Sequence, residues 1–73
     1  MDTPARIKLG RQIKKLREKA KLTQEKLAGT VGIDYKYLQK IEGKTPPAIR
    51  IDTIEKLAKA LKVPTWKLLQ FKD

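Results

Sequence analysis

Tyr35, Lys36, Tyr37, Gln39 and Lys40 stand close together in a short run of this chain. Their chemistry is hydrogen bonding rather than bond making. Ammonium groups donate, a phenol donates and accepts, and an amide does both. Such a set suits recognition of a surface that displays donors, acceptors or negative charge. Histidine and cysteine are both absent, which removes the usual general base near neutral pH and the commonest transition-metal ligands. It also removes disulfides and thiolates. The eight Asp and Glu residues are scattered, with no paired carboxylates in a pocket-forming context. No metal, no cofactor and no small-molecule ligand is expected, and an enzyme is a poor reading.

Charge narrows the partner. Eighteen Lys and Arg face eight Asp and Glu, a net of +10. That excess favours polyanions, nucleic acid first and acidic membrane surface second. The plainer reading is a lysine-rich surface that keeps the protein soluble or reflects a heat-adapted source. No segment approaches the ~20 apolar residues that span a bilayer, and Met1–Pro4 does not lead into a signal-peptide pattern. A soluble, non-secreted, cytoplasmic protein is expected, nucleoid-associated if its polyanion is DNA. With 73 residues, one domain over 1–73 is the reading, with a radius of gyration of roughly 11 Å and modest stability.

The elements that must position these side chains read as helices. Thr3 and Pro4 offer a cap and a first helical position. Leu9, Ile13, Leu16 and Ala20 then recur at helical spacing. Gly10 inside this helix costs about 1 kcal/mol against alanine, and Ile7 falls off the apolar stripe. Thr23 caps a second helix that buries Leu27, Ala28 and Val31, and Gly32 suits its left-handed end. Asp34 caps a third, closed by Gly43. Lys44–Ile51 is a proline-bearing linker. Asp52, with Glu55 three residues on, reads as a capping-box variant for a fourth helix. Thr65 caps a short fifth. The expected helices are about 4–20, 24–31, 35–42, 53–61 and 66–71, and no period-two strand pattern appears. The fold class is all-α, a five-helix bundle with one core.

Two short helices joined at Gly32 form a helix-turn-helix. On the third, Leu38 and Ile41 define the core side, so Lys36 and Lys40 point away from it with Gln39 beside them. Tyr35 and Tyr37 flank the face. That geometry suits insertion into a DNA major groove, which admits a helix and displays base-edge donors and acceptors. A small bundle with lysine-rich solvated faces also explains the two lysines, though not the spacing of Ala28, Gly32, Leu38 and Ile41.

The run Gln24-Glu25-Lys26-Leu27-Ala28, then Val31-Gly32-Ile33, Leu38, Ile41-Glu42 and Gly43-Lys44, resembles the phage repressor and Cro-type (lambda repressor-like, xenobiotic-response-element) helix-turn-helix family. The likeness extends to Leu9-Gly10, Ile13 and Leu16-Arg17, and to Ile54, Leu57-Ala58, Ala60-Leu61 and Val63. It implies a sequence-specific regulator of transcription that binds double-stranded DNA. It further implies that Gln24 grips a phosphate, a role that suits the free amides of a helix N-terminus, with a merely solvated glutamine as the alternative. Tyr35, Lys36, Gln39 and Lys40 match the base-reading positions. Lysine serves guanine and glutamine serves adenine, but lysine also serves phosphates, so both roles stand open for Lys36 and Lys40. Tyr37 reads as a packing residue with a wet hydroxyl.

Gly43, Lys44, Thr45 and Arg50 match the family's phosphate-contacting region. The chain departs from a common form by lacking a residue between Glu42 and Gly43, and by its Pro46-Pro47 pair. Arg17 and Glu42 resemble a family salt bridge, and each lies about 70° from the centre of its helix's apolar face. Trp66, Leu69 and Phe71 either cap the core or form a two-fold dimer contact. A symmetric dimer sets two recognition helices about 34 Å apart. The expected function is therefore a repressor acting as a homodimer on a palindromic operator. The rivals are a DNA-binding antitoxin of a toxin-antitoxin pair and a helical protein-interaction module.

Overall fold

A computed structural model describes residues 4–71. Its elements are α1 (Ala5–Lys19), α2 (Gln24–Val31), α3 (Tyr35–Ile41), α4 (Ile51–Ala60) and α5 (Thr65–Leu68), with no strand among the described residues. The radius of gyration is 11.1 Å, which matches the expectation for a globule of this length. The core joins Leu9 and Ile13 of α1, Leu27 and Ala28 of α2, Leu38 and Ile41 of α3, Ile54, Leu57 and Ala58 of α4, Leu61, and Leu68 of α5. Helix α2 packs on α3 and α4, α4 on α5, and α1 on α3 and α5.

The helix-turn-helix boundaries follow from local hydrogen bonding. Thr23 Oγ1 accepts from the Lys26 N–H at 3.0 Å, and Asp34 Oδ1 accepts from the Lys36 N–H at 3.0 Å. Each satisfies a donor that a helix start leaves free. At the end of α2 the chain turns left-handed at Gly32 (φ 84°), and the Gly32 and Ile33 amides both close on the Ala28 carbonyl. Two further helices end the same way without glycine. Lys21 (φ 61°) follows α1 and Lys62 (φ 60°) follows α4. The Leu22 N–H reaches Arg17 O and the Val63 N–H reaches Ala58 O, each at 3.0 Å, a Schellman pattern in which a side chain at the left-handed position is strained by about 1–2 kcal/mol.

Other boundaries differ from the sequence reading. Pro4 is the N-cap of α1, and Thr3 lies outside the described residues. Ala20 is exposed, not part of the apolar stripe, while Leu16 and Val31 are half-buried. Helix α4 begins two residues early, at Ile51, with Arg50 as its N-cap and no side-chain cap bond. Asp52 therefore sits inside the first turn, where its charge favours the helix N-terminus without capping it. Thr65 is likewise the first residue of α5, which Pro64 precedes, and the helix stops at Leu68, leaving Phe71 outside it.

Gly10 has a tertiary reason. A β-carbon there would overlap the carbonyl oxygen of Ile41, so α1 lies directly against the end of α3. Gly29, in the middle of α2, has open space around it. In urea denaturation Gly10→Ala should therefore lower stability by about 1–3 kcal/mol through forced overpacking. Gly29→Ala should raise it by about 0.5–1 kcal/mol through backbone entropy. Equal effects at the two glycines would contradict this packing.

Candidate nucleic-acid interface

The locked face of α3 comes first. Leu38 and Ile41 are fully buried, which fixes the helix's rotation about its own axis. Lys36, Gln39 and Lys40 are consequently exposed, as is Tyr35 at 39%. The Gln39 amide donates to the Tyr35 hydroxyl at 3.0 Å, one turn back, so two of the outward polar groups hold each other in place. Tyr37, on the other flank, is half-buried and packs against the core.

A bonded cluster ties the end of α3 to its neighbours. Arg17 Nε donates to Glu42 Oε2 at 2.8 Å and Arg17 Nη2 to Glu42 Oε1 at 3.0 Å, a two-pronged pair whose side chains are 10% and 3% exposed. Arg17 Nη1 also donates to the Leu22 carbonyl at 2.7 Å. Hydrogen bonding to Glu42 raises the pKa of the Arg17 guanidinium above its ordinary value, against the opposing effect of burial. The Gln24 amide adds a third bond to the same carboxylate, at 3.0 Å from Nε2 to Oε1. The Arg17–Glu42 pair thus joins α1, the turn after it, the first residue of α2 and the residue that ends α3. The sequence reading paired Arg17 with Glu42 but missed Gln24. No local pattern carries that bond, since it exists only once the elements are packed.

The remaining candidates differ in exposure and partners. Lys44 and Thr45 are exposed just past α3. Arg50 is exposed and faces Asp52 at 3.7 Å, with side chains 84% and 66% exposed. Such a pair is worth under about 1 kcal/mol. Trp66 (61% exposed) and Leu69 (43%) stand on the surface at α5, whereas Phe71 is half-buried against the core. The three are not equivalent. Sequence reasoning also missed Arg11 and Lys14, which with Ile7 line a groove beside Glu42, Gly43 and Lys44. Ile7, off the apolar stripe, is the wall of that groove. The spacing Ile7-Arg11-Lys14, one and two turns apart, was the available signal.

No group of His, Cys, Asp or Glu among the described residues is arranged to hold a metal ion. No described helix is long and apolar enough to cross a membrane.

Residues 10–73 match the family model described as a helix-turn-helix domain. Among solved structures, the chain is similar to a hypothetical transcription factor, NHTF, from Neisseria, at 31% identity and TM-score 0.86, covering 93% of this chain and 77% of that one. It is also similar to the restriction-modification controller protein C.AhdI from Aeromonas hydrophila, at 32% identity and TM-score 0.81, with 86% and 94% covered. A third similar structure is SinR, a master regulator for biofilm formation, in complex with DNA, at 29% identity and TM-score 0.79, with 85% and 98% covered. No curated protein matches the chain. The chain belongs to the helix-turn-helix family and is a DNA-binding transcription regulator of the Cro/C1 type, a class of regulators and not of enzymes.

The cluster makes a stability prediction. Glu42→Ala leaves the Arg17 guanidinium buried without its partner and should cost about 3–5 kcal/mol. Asp52→Ala, which breaks the exposed pair, should cost under about 1 kcal/mol. Thermal denaturation of the two variants side by side tests this. A Glu42→Ala loss in the surface range would contradict a structural role for the cluster.

Proposed function

We propose that the chain reads a specific double-stranded DNA sequence with α3 and acts as a repressor, by occupying an operator as a dimer. The observation that carries the reading is the row Tyr35, Lys36, Gln39 and Lys40, turned to solvent on a helix anchored by Leu38 and Ile41, on a chain of net charge +10. Lys36, Gln39 and Lys40 donate to base edges in the major groove, lysine to guanine and glutamine to adenine. Tyr35 supports Gln39 and presents its ring to a thymine methyl or its hydroxyl to a phosphate.

Phosphate contacts set the register. Gln24 brings an amide whose orientation Glu42 fixes, beside the free backbone amides that open α2. Lys44 and Thr45 follow α3 directly, and Arg50 brings the guanidinium held only by an exposed carboxylate. Trp66 and Leu69 form the contact between two copies, with Phe71 as support beneath. Two-fold pairing there sets the recognition helices about 34 Å apart, one helical turn of DNA. Occupancy of a palindromic operator near a promoter then blocks polymerase. Such a protein works in the cytoplasm, at the nucleoid. The similar SinR was solved with DNA bound, which supports the reading.

Selection of binding sites from a randomised duplex library tests it, and the expected result is a two-fold symmetric motif. On that motif, Gln39→Ala should relax preference at one position per half-site and cost about 1–3 kcal/mol of discrimination. Arg50→Gln should weaken all sequences alike and lower the slope of log affinity against log salt by about 1. No enrichment at low salt would overturn the proposal and favour a protein-interaction module.

The dimer is tested separately by sedimentation at micromolar concentration. Wild type should sediment as a dimer, free or on the selected duplex, and Trp66→Ala with Leu69→Ala as a monomer. A wild type that stays monomeric both free and on the duplex would sink the dimer. A stable complex with a second protein at that face would favour the antitoxin reading instead.

A further inference from the structure

We infer that α1 adds Arg11 and Lys14 to the phosphate contacts, in a groove that these two residues and Ile7 form with Gly43 and with Lys44, already assigned to the phosphates, after α3. The inference rests on the DNA-binding reading and extends its footprint beyond the helix-turn-helix. Three observations place the site. First, these residues line one groove, with Glu42 at its side. Arg11, Lys14 and Lys44 are all exposed, so three cations converge on one concave surface.

Second, the one carboxylate among the groove's described lining residues is already neutralised. Glu42 is 3% exposed and holds Arg17 through two bonds and Gln24 through a third. The groove therefore presents net positive charge to an anion, and its one negative group faces inward. Glu18, one turn beyond Lys14, is not among the lining residues.

Third, the groove cannot drift away from α3. Gly10 sets the α1 backbone against the Ile41 carbonyl, which fixes Arg11 beside the C-terminal end of the recognition helix. Gly43 brings no side chain into the groove, and a β-carbon there would stand 3.1 Å from the Gln39 carbonyl oxygen, tighter than most real contacts. A helix whose opening turn and outer face meet base edges brings its far end to the sugar–phosphate wall of the major groove. Arg11, Lys14 and Lys44 meet that wall. Arginine takes a phosphate in two-pronged fashion, and the lysines add point charges. Ile7 supplies an apolar wall that excludes water from one side.

The test compares two double variants of equal charge loss on the full chain. Arg11→Gln/Lys14→Gln removes the groove cations, whereas Lys15→Gln/Lys19→Gln removes two exposed cations of α1 outside it. Binding to the selected duplex is followed across a salt series for each, after thermal denaturation shows that both are folded. The groove variant should lower the salt slope by about 1 relative to the control pair, consistent with one lost phosphate, and should leave the preferred sequence unchanged. Equal slopes for the two pairs would overturn the inference while leaving the DNA-binding reading intact. Loss of binding to vesicles containing phosphatidylserine, with duplex binding unaffected, would also overturn it and assign the groove to a membrane surface. A wild type without salt-dependent duplex binding would defeat the underlying reading instead.

Discussion

The Glu42 carboxylate is the constraint on which the rest of the structure depends. It lies almost out of solvent, yet it accepts two bonds from Arg17 and one from Gln24. Burying a lone carboxylate is costly, and so is burying a lone guanidinium. Each is tolerable here only because the other is in place, with the Leu22 carbonyl accepting another Arg17 N–H. The pairing cannot be satisfied unless α1, the start of α2 and the end of α3 meet in one arrangement. A polar cluster thereby specifies a geometry that the apolar core alone leaves looser.

That geometry is what a recognition surface needs. Leu38 and Ile41 set which side of α3 faces inward. The cluster and the Gly10 contact set where the helix ends relative to α1. Gln24 takes part in both the cluster and the helix start, since its amide is oriented by Glu42 while its backbone opens α2. The cationic surface follows as a consequence. Lys36, Lys40, Lys44, Arg11 and Lys14 are all exposed, and Arg11, Lys14 and Lys44 line one groove beside Glu42. Like charges so placed repel in the free protein, and a polyanion relieves that repulsion.

The helix-turn-helix was legible in the sequence because its signals are local. Thr23, Gly32 and Asp34 each act on backbone groups within a few residues, and the α2 boundaries and the start of α3 came out as expected. The outward side of α3 was legible for the same reason, through the three-residue spacing of Leu38 and Ile41. The start of α4 was not, because no side chain caps it and Asp52 looked like the cap that was missing. The end of α5 was overextended because Leu69 and Phe71 are apolar without being helical. Gly10 looked like a local cost, whereas its cause lies thirty-one residues away at Ile41. The Gln24 bond and the basic groove likewise arise from packing, and only the turn-spaced Ile7, Arg11 and Lys14 hinted at the latter.

The most direct measurement is an amide resonance map of the folded protein titrated with its selected duplex. Shifts should concentrate at Gln24, along Tyr35 to Lys40 and at Gly43 to Thr45, while the resonances of core residues Leu27 and Leu57 stay nearly fixed. Shifts confined to the Trp66 side, or spread evenly over every exposed lysine, would mean that α3 is not the element that meets DNA.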